Sequence, residues 1–189
     1  MRGNILLIDN LDSFTDNVAH LFAMAGGTPT IMRIDRTDLK TVQAFAPDMI
    51  ILSPGPGHPG NASLNLAIID HYLGRVPLFG VCLGMQCLAL ALAGKVEPAE
   101  PCHGKEWAIT HDGIGMFQGI PSPTVVGRYH SLQVTVVPDA LVPCAWTGDH
   151  EVMALRHRTL PAGGVQFHPE SFLTPGGVRI AENILHDRY

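Results

Sequence analysis

Long apolar runs, basic clusters and paired cysteines are what this 189-residue chain lacks. No apolar stretch approaches the roughly 18 residues of a membrane-spanning helix, so a membrane protein is not expected. The first apolar run, Ile5 to Ile8, stops at Asp9 and is too short for a secretion-signal core; the expected location is cytoplasmic. Charged residues make up 15% of the chain, the net charge is -5, and Arg156-His157-Arg158 is the one basic cluster. Nucleic-acid binding is therefore not expected. The four cysteines, Cys82, Cys87, Cys102 and Cys144, are irregularly spaced with no C-x-x-C, which argues against a disulfide framework. A zinc site drawn from Cys82, Cys87 and His168 fits no usual ligand spacing. His168-Pro169-Glu170 has the H-x-E form of zinc deaminases, but those need a later P-C-x-x-C, and no cysteine follows Cys144. Neither a metal nor a cofactor is expected. Repeats, low-complexity segments and long linkers are absent as well.

The chain does have apolar residues, 46% of the total, and length enough for one domain over residues 1–189 with a substantial core. Short apolar runs alternate with helical patterns in the first half, the signature of parallel β/α units. Strands are expected at 4–8, 28–34, 49–53 and 76–81, with helices at 15–25, 63–73 and 83–93. From Lys95 to Gln166 the pattern changes to short strand-like pieces with frequent Gly and Pro, including 133–137, 141–147 and 151–157. A terminal helix is expected over 177–188. The fold class is thus α/β: one open, mostly parallel, doubly wound sheet with added antiparallel strands. Ligands bind such sheets at the carboxyl ends of the strands, where Ser53 and Cys82 both fall.

Within this frame one segment stands out. Pro77-Leu78-Phe79-Gly80-Val81-Cys82-Leu83-Gly84-Met85-Gln86 reads as a buried strand ending in Gly-x-Cys-x-Gly, followed at once by a helix. Such a turn lifts one thiol out of a strand end and holds it at a helix N-terminus, where free N–H groups favour negative charge. The glycines suit the crowding of a nucleophile elbow. Alone, the segment fits a turn with a buried thiol equally well. Gly164-Val165-Gln166-Phe167-His168-Pro169-Glu170-Ser171 supplies a partner. Proline keeps His168 extended, so Glu170 points to the same side and can hold one imidazole nitrogen while the other faces a thiol. Cys82, His168 and Glu170 then follow the nucleophile, base and orienting-acid logic of a triad. Ser53-Pro54-Gly55-Pro56-Gly57-His58-Pro59-Gly60 satisfies no phosphate-loop pattern. Amides of Gly55 and of Leu83 converging on a developing oxyanion fit it better, although a Pro-Gly cluster in isolation is more often a plain turn. Arg128-Tyr129-His130-Ser131-Leu132 and His103-Gly104-Lys105 carry no chemical assignment of their own. In Asn10-Leu11-Asp12-Ser13-Phe14, Asp12 or Ser13 is the expected helix N-cap.

With these residues together, the chain resembles the class I (triad-type) glutamine amidotransferases, and among them the small glutaminase subunits of anthranilate and aminodeoxychorismate synthase. The resemblance runs nearly end to end, from Leu7-Ile8-Asp9-Asn10-Leu11-Asp12-Ser13-Phe14-Thr15 through Ser53-Pro54-Gly55-Pro56-Gly57 and the cysteine elbow. It continues in His103-Gly104-Lys105, Arg128-Tyr129-His130-Ser131-Leu132, Arg156-His157-Arg158 and the His-Pro-Glu segment. It implies a flavodoxin-like sheet, and catalysis by Cys82, His168 and Glu170 with an oxyanion hole of Gly55 and Leu83. It also implies glutamine binding by Gly55, Pro56, Gly57, Gln86, Ser131 and Leu132. The implied substrate is L-glutamine and the implied partner a chorismate-using synthase, to which ammonia passes internally and to which any Mg²⁺ belongs. Met85 departs from the histidine usual in this branch, Pro59-Gly60-Asn61 from an acidic stretch, and Asp16 from a position often aromatic. The competing readings are another thiol hydrolase on the same sheet, a non-catalytic docking subunit, and a glutaminase subunit for a related aminated-chorismate pathway.

Overall fold

The structure is a computed structural model that describes residues 3–186 and 189. Its first half follows the β/α alternation: β1 (Ile5–Asp9), α1 (Thr15–Met24), β2 (Pro29–Arg33), α2 (Leu39–Phe45), β3 (Met49–Leu52), α3 (Ser63–Tyr72), β4 (Leu78–Val81) and α4 (Leu83–Ala91). Then come β5 (Lys95–His111), β6 (Thr124–Val136), β7 (Leu141–Trp146), β8 (Val152–His157), β9 (Ala162–Val165) and α5 (Gly177–Leu185). Asp187 and Arg188, where the expected terminal helix would end, lie outside the described residues.

The nine strands run in the order β2-β1-β3-β4-β9-β8-β7-β5-β6. The first five are mutually parallel, and every pair from β9 to β6 is antiparallel. Strand order reverses between β1 and β3, the switch point at which doubly wound sheets hold ligands. Side chains of β1 alternate between the two faces. Ile5 and Leu7 join a core with Val18, Phe22, Ile180 and Ile184 of α1 and α5. Leu6 and Ile8 join another with Val42, Ile68, Ile69 and Leu88 of α2, α3 and α4. Burial on both faces is why β1, β3 and β4 read as unbroken apolar runs. Helix α4 is buried from Leu83 to Ala89, so it too is apolar nearly all round.

Two features were not legible. Helix α2 buries only Val42, and its start is fixed locally by Asp38, whose side chain accepts the Thr41 N–H at 2.8 Å. Where short strand pieces are expected after Lys95, β5 and β6 form one long bulged ribbon. Pro98, Pro101 and Gly104 interrupt the β5 pattern and most of its residues are exposed. In β6 the inward positions are Val126, Arg128, His130, Leu132 and Val134. Two polar residues at buried positions break the apolar alternation that marks a strand.

Candidate active site

At the end of β4, Cys82 has φ 51° and ψ -103°, left-handed backbone that a residue with a side chain adopts only under strain. Glycine on each side makes this turn possible. A Cβ on Gly80 would stand 2.3 Å from the Gly84 carbonyl carbon, and one on Gly84 would stand 2.4 Å from Leu52 O in β3. Gly80 thus lets the first turn of α4 close on the strand, and Gly84 lets α4 lie on the neighbouring strand. Met85 points the other way. It is wholly buried against β9, where a Cβ on Gly164 would come within 2.9 Å of the Met85 Cβ. Its departure from the branch pattern is therefore a change in packing behind the elbow, not in the cleft.

The loop after β3 meets this turn. Asn10, just past β1, anchors its start: Asn10 N donates to Ser53 Oγ and Asn10 Nδ2 to Ser53 O, both at 2.9 Å. Asn65 Nδ2 donates in turn to Asn10 Oδ1 at 2.7 Å. A Cβ on Gly55 would lie 2.5 Å from the Asn10 Cβ and 2.8 Å from Leu83 Cδ2, so only glycine allows the approach. Leu83 opens α4, and its N–H has no intrahelical partner. Beyond Gly57, Pro59–Asn61 forms a short 3-10 turn capped by His58 Nδ1, which accepts the Gly60 N–H at 3.0 Å. The departing Pro59-Gly60-Asn61 stretch is accommodated locally. Asp16 is exposed on the first turn of α1. The N-cap position of α1 is Phe14, with no side-chain cap. Asp12 acts one step earlier, accepting the Phe14 N–H at 2.8 Å, and Ser13 makes no such bond.

His168 follows β9, as the sequence implies. Its backbone is held by the ribbon: His168 N donates to Gly127 O at 3.0 Å, and Thr174 Oγ1 donates to His168 O at 2.7 Å. Nδ1 pairs with Glu170 Oε1 at 2.6 Å, with both side chains almost wholly buried. The rings of Tyr129 and Phe14 stand edge-on to the imidazole at 4.9 and 5.4 Å. Nε2 is buried without a hydrogen bond of ordinary geometry to a protein atom. Burial works to lower the His168 pKa. The neighbouring Cys82 sulfur and the Glu170 carboxylate outweigh it and raise the value to about 10. A buried imidazole in that state is an imidazolium, and the paired Glu170 carboxylate balances its charge.

A cavity of about 250 Å³ opens in front of the thiol, lined by Gly55, Pro56, Gly57, Cys82, Gln86, Ser131 and Leu132 among others. Leu83 and His168 adjoin Cys82 rather than the cavity wall, and Glu170 lies behind His168. Asp12, His103, Tyr129 and His130 also line it, and sequence reasoning gave none of the four a site role. Two further residues were missed altogether in their site role: Phe14 and Gln166. Gln166 is fully buried, and its Nε2 donates to Cys82 Sγ at 3.5 Å. A polar residue inside a buried run was the signal that should have singled it out.

His130 supports the far wall. Its Nε2 accepts from Arg128 Nε at 3.1 Å, which can only donate, so Nδ1 carries the proton and donates to Leu132 O at 2.9 Å. Burial, helped by the Arg128 charge, pushes its pKa down to about 4. Arg128 is itself buried, stacked over Trp107 and ion-paired to Glu151. Cys87 and Cys144 are buried thiols pushed up to about 12, chiefly by desolvation. Among the described residues no group of three or more His, Cys, Asp or Glu is arranged to hold a metal ion, and no helix is long and apolar enough to cross a membrane.

Known proteins carry the same pattern. The sequence model of the family described as "Glutamine amidotransferase class-I" matches residues 6–188. Anthranilate synthase component 2 of Thermus thermophilus is 47% identical over 187 residues, spanning 97% of this chain and 92% of that one. Aminodeoxychorismate synthase component 2 of Escherichia coli K12 is 46% identical over 187 residues, 96% of this chain and 99% of that one. Among solved structures, a Thermoplasma acidophilum protein described as part of a GMP synthase superposes with a TM-score of 0.87 over 99% of this chain and 94% of its own, at 23% identity, a likeness of fold. A match over nearly the whole length, with close relatives of full extent, places the chain: it belongs to the class-I glutamine amidotransferase family.

Proposed function

We propose that residues 1–189 act as one glutaminase domain in the cytoplasm, hydrolysing L-glutamine and passing ammonia to a chorismate-using synthase subunit. The observation that carries this reading is Cys82 on its strained elbow, opening onto a cavity of about 250 Å³ with the His168–Glu170 pair behind it. Glutamine enters with its side-chain amide at Cys82. The amino-acid end lies toward Gly57, Gln86, Ser131 and Leu132, and Pro56 shapes the floor. Gln86 gives both Nε2 protons to Leu132 O and Gln166 Oε1, at 3.2 and 3.0 Å, so its Oε1 is left to accept from the substrate ammonium.

With its proton already on His168, Cys82 attacks the amide carbon as a thiolate, and charge develops on the carbonyl oxygen between the amides of Gly55 and Leu83. Each donor of this kind contributes about 10²–10³ in rate. The proton on His168 passes to the leaving nitrogen, the C–N bond breaks, and ammonia departs from a glutamyl thioester. Now neutral, His168 takes a proton from water, whose oxygen attacks the thioester and releases glutamate and the thiolate. Glu170 holds Nδ1 throughout, so Nε2 stays aimed at the sulfur. Ammonia released into bulk water at neutral pH would protonate and lose its nucleophilicity, which is the chemical reason for a bound synthase. Any Mg²⁺ belongs to that synthase.

The 47% and 46% identical relatives divide between anthranilate and aminodeoxychorismate synthesis, so the proposal covers both products. The synthase that copurifies with the chain decides between them. Glutamine hydrolysis is measured for wild type and Cys82→Ser, with and without that synthase. Turnover is expected in the wild-type complex and a loss of about 10⁴ or more in the variant; activity surviving in Cys82→Ser overturns the reading.

A further inference from the structure

One buried side chain at the thiol has no part in the triad or the oxyanion hole. Gln166 has no solvent exposure, its backbone N–H donates to Met153 O at 2.8 Å, and its amide lies between Gln86 and Cys82. Chemistry fixes which way that amide faces. Leu132 O can only accept, so the group that Gln86 presents to it at 3.2 Å must be Nε2. The same nitrogen gives its second proton to Gln166, which must therefore present Oε1 at 3.0 Å. The other end of the Gln166 amide, Nε2–H, then faces Cys82 Sγ at 3.5 Å.

We propose that Gln166 is a positioning residue that donates to the Cys82 sulfur and ties it, through Gln86, to the backbone that receives the substrate's amino-acid end. The proposal rests on the glutaminase reading above. Two chains of donors meet at Leu132 O: Arg128 donates to His130 and His130 to Leu132 O, while Gln86 donates both to Leu132 O and to Gln166, and Gln166 donates in turn to sulfur. A donor at sulfur favours the thiolate over the thiol, because hydrogen bonds to a charged form stabilise that form. It also aims the lone pairs, since the amide is locked at its other end. Substrate bound at Gln86 would bear on the same bonds, so occupancy of the amino-acid subsite and readiness of the thiol are coupled over the length of two side chains.

The test is the pH profile of Cys82 alkylation by iodoacetamide in the full-length chain, read on the peptide that carries Cys82. The other titratable groups around the sulfur are His168 and Glu170 after β9, Cys87 on α4, His130 and Tyr129 on β6, and Asp12 and His103 on the cavity wall. All are unchanged in the variants. Gln166→Met, close in volume but with no donor, is expected to raise the alkylation midpoint by about one pH unit. Gln166→Glu keeps an acceptor for Gln86 but replaces the donor with a carboxylate, so its midpoint should rise at least as far. With the synthase present, its kcat for glutamine should fall about tenfold while KM stays near wild type. Gln166→Met, having lost the Gln86 contact too, should also raise KM. If Gln166→Met does not fold, Gln166→Asn, too short to span both partners, takes its place with the same expected shift. A wild-type midpoint in the Met or Asn variant overturns the proposal, and so does a shift confined to Gln166→Glu, which would be a charge effect alone. A wild-type complex that hydrolyses no glutamine overturns the glutaminase reading instead, and the alkylation profiles still decide the role of Gln166.

Discussion

His168 and His130 stand on opposite halves of the sheet, both buried at the same cleft, and they are driven in opposite directions. His168, past the end of a parallel strand, faces a thiol and a carboxylate, and its pKa is raised to about 10. His130, on the inner face of the ribbon, is desolvated beside Arg128, and its pKa is lowered to about 4. The difference is one of partners rather than burial. The parallel half places reactive groups at strand ends, where turns leave valences open. The ribbon half places them inside a strand, where both are already held by neighbours: Arg128 by Glu151, and His130 by Arg128 and Leu132. One half holds charge ready to react, and the other holds a neutral wall in place.

The largest expected contrast is in catalysis. His168→Asn should lower kcat for glutamine by about 10⁴. His130→Asn removes a support of Leu132 and should act mainly on KM, lowering kcat/KM by about ten- to a hundredfold. Steady-state kinetics of both variants in the synthase complex measure this, and a kcat loss of equal size in His130→Asn would erase the distinction between the halves.

Next in size is the tolerance of the two backbones. Gly84→Ala puts a Cβ 2.4 Å from Leu52 O, backbone against backbone, where little can yield. A loss of about 3 kcal/mol by urea unfolding is expected, the upper range of overpacking costs, together with disordering of the elbow and loss of activity. Gly104→Ala, on the ribbon, meets only a Tyr129 ring carbon at 3.5 Å, and its cost is that of φ 65°, about 1 kcal/mol. Similar losses in the two variants would show the elbow to be no tighter than the ribbon.

The smallest effect is in the pH dependence of stability, and here the halves should differ in sign. For His130 the folded pKa lies below its ordinary 6.5, so its contribution is full above about 6.5 and is lost as pH falls toward 4, when the unfolded chain takes up the proton first. For His168 the folded value lies above 6.5. Its contribution is full below that pH and is lost as pH rises toward 10. Urea midpoints from pH 4 to 10, taken as wild type minus each Asn variant, should therefore shrink at opposite ends of the range. Two differences that shrink at the same end would contradict the assigned environments.

How far each half could be read from sequence follows the same division. Strands β1, β3 and β4 are buried on both faces and announce themselves as apolar runs, and the elbow is marked by glycines that local sterics require. The His168–Glu170 pair was readable because the two are two residues apart in extended chain and need only each other to be recognised. The ribbon was not readable as two long strands, since its inward positions include Arg128 and His130 and its partner carries Pro98 and Pro101. Helix α2 was missed because one buried residue, Val42, makes no periodic pattern. Tyr129 and Phe14, which confine the His168 ring, gave no signal, because each lies far from His168 in the chain.

The sequence by itself determined the fold class, the elbow at Cys82, the His168–Glu170 pair and, through resemblance, the family. The elbow and the pair depend on residues adjacent or nearly so, where pleat, helix start and glycine sterics act within a few peptide units, and the fold class and family on such local patterns repeated along the chain. Only the tertiary structure decided that Met85 packs away from the cleft, that His130 is a neutral donor to Leu132, and that Gln166 reaches the sulfur. The last bond joins residues 84 positions apart. The direction of such a bond is set by which donors and acceptors the fold brings face to face, and no local pattern in the chain records that.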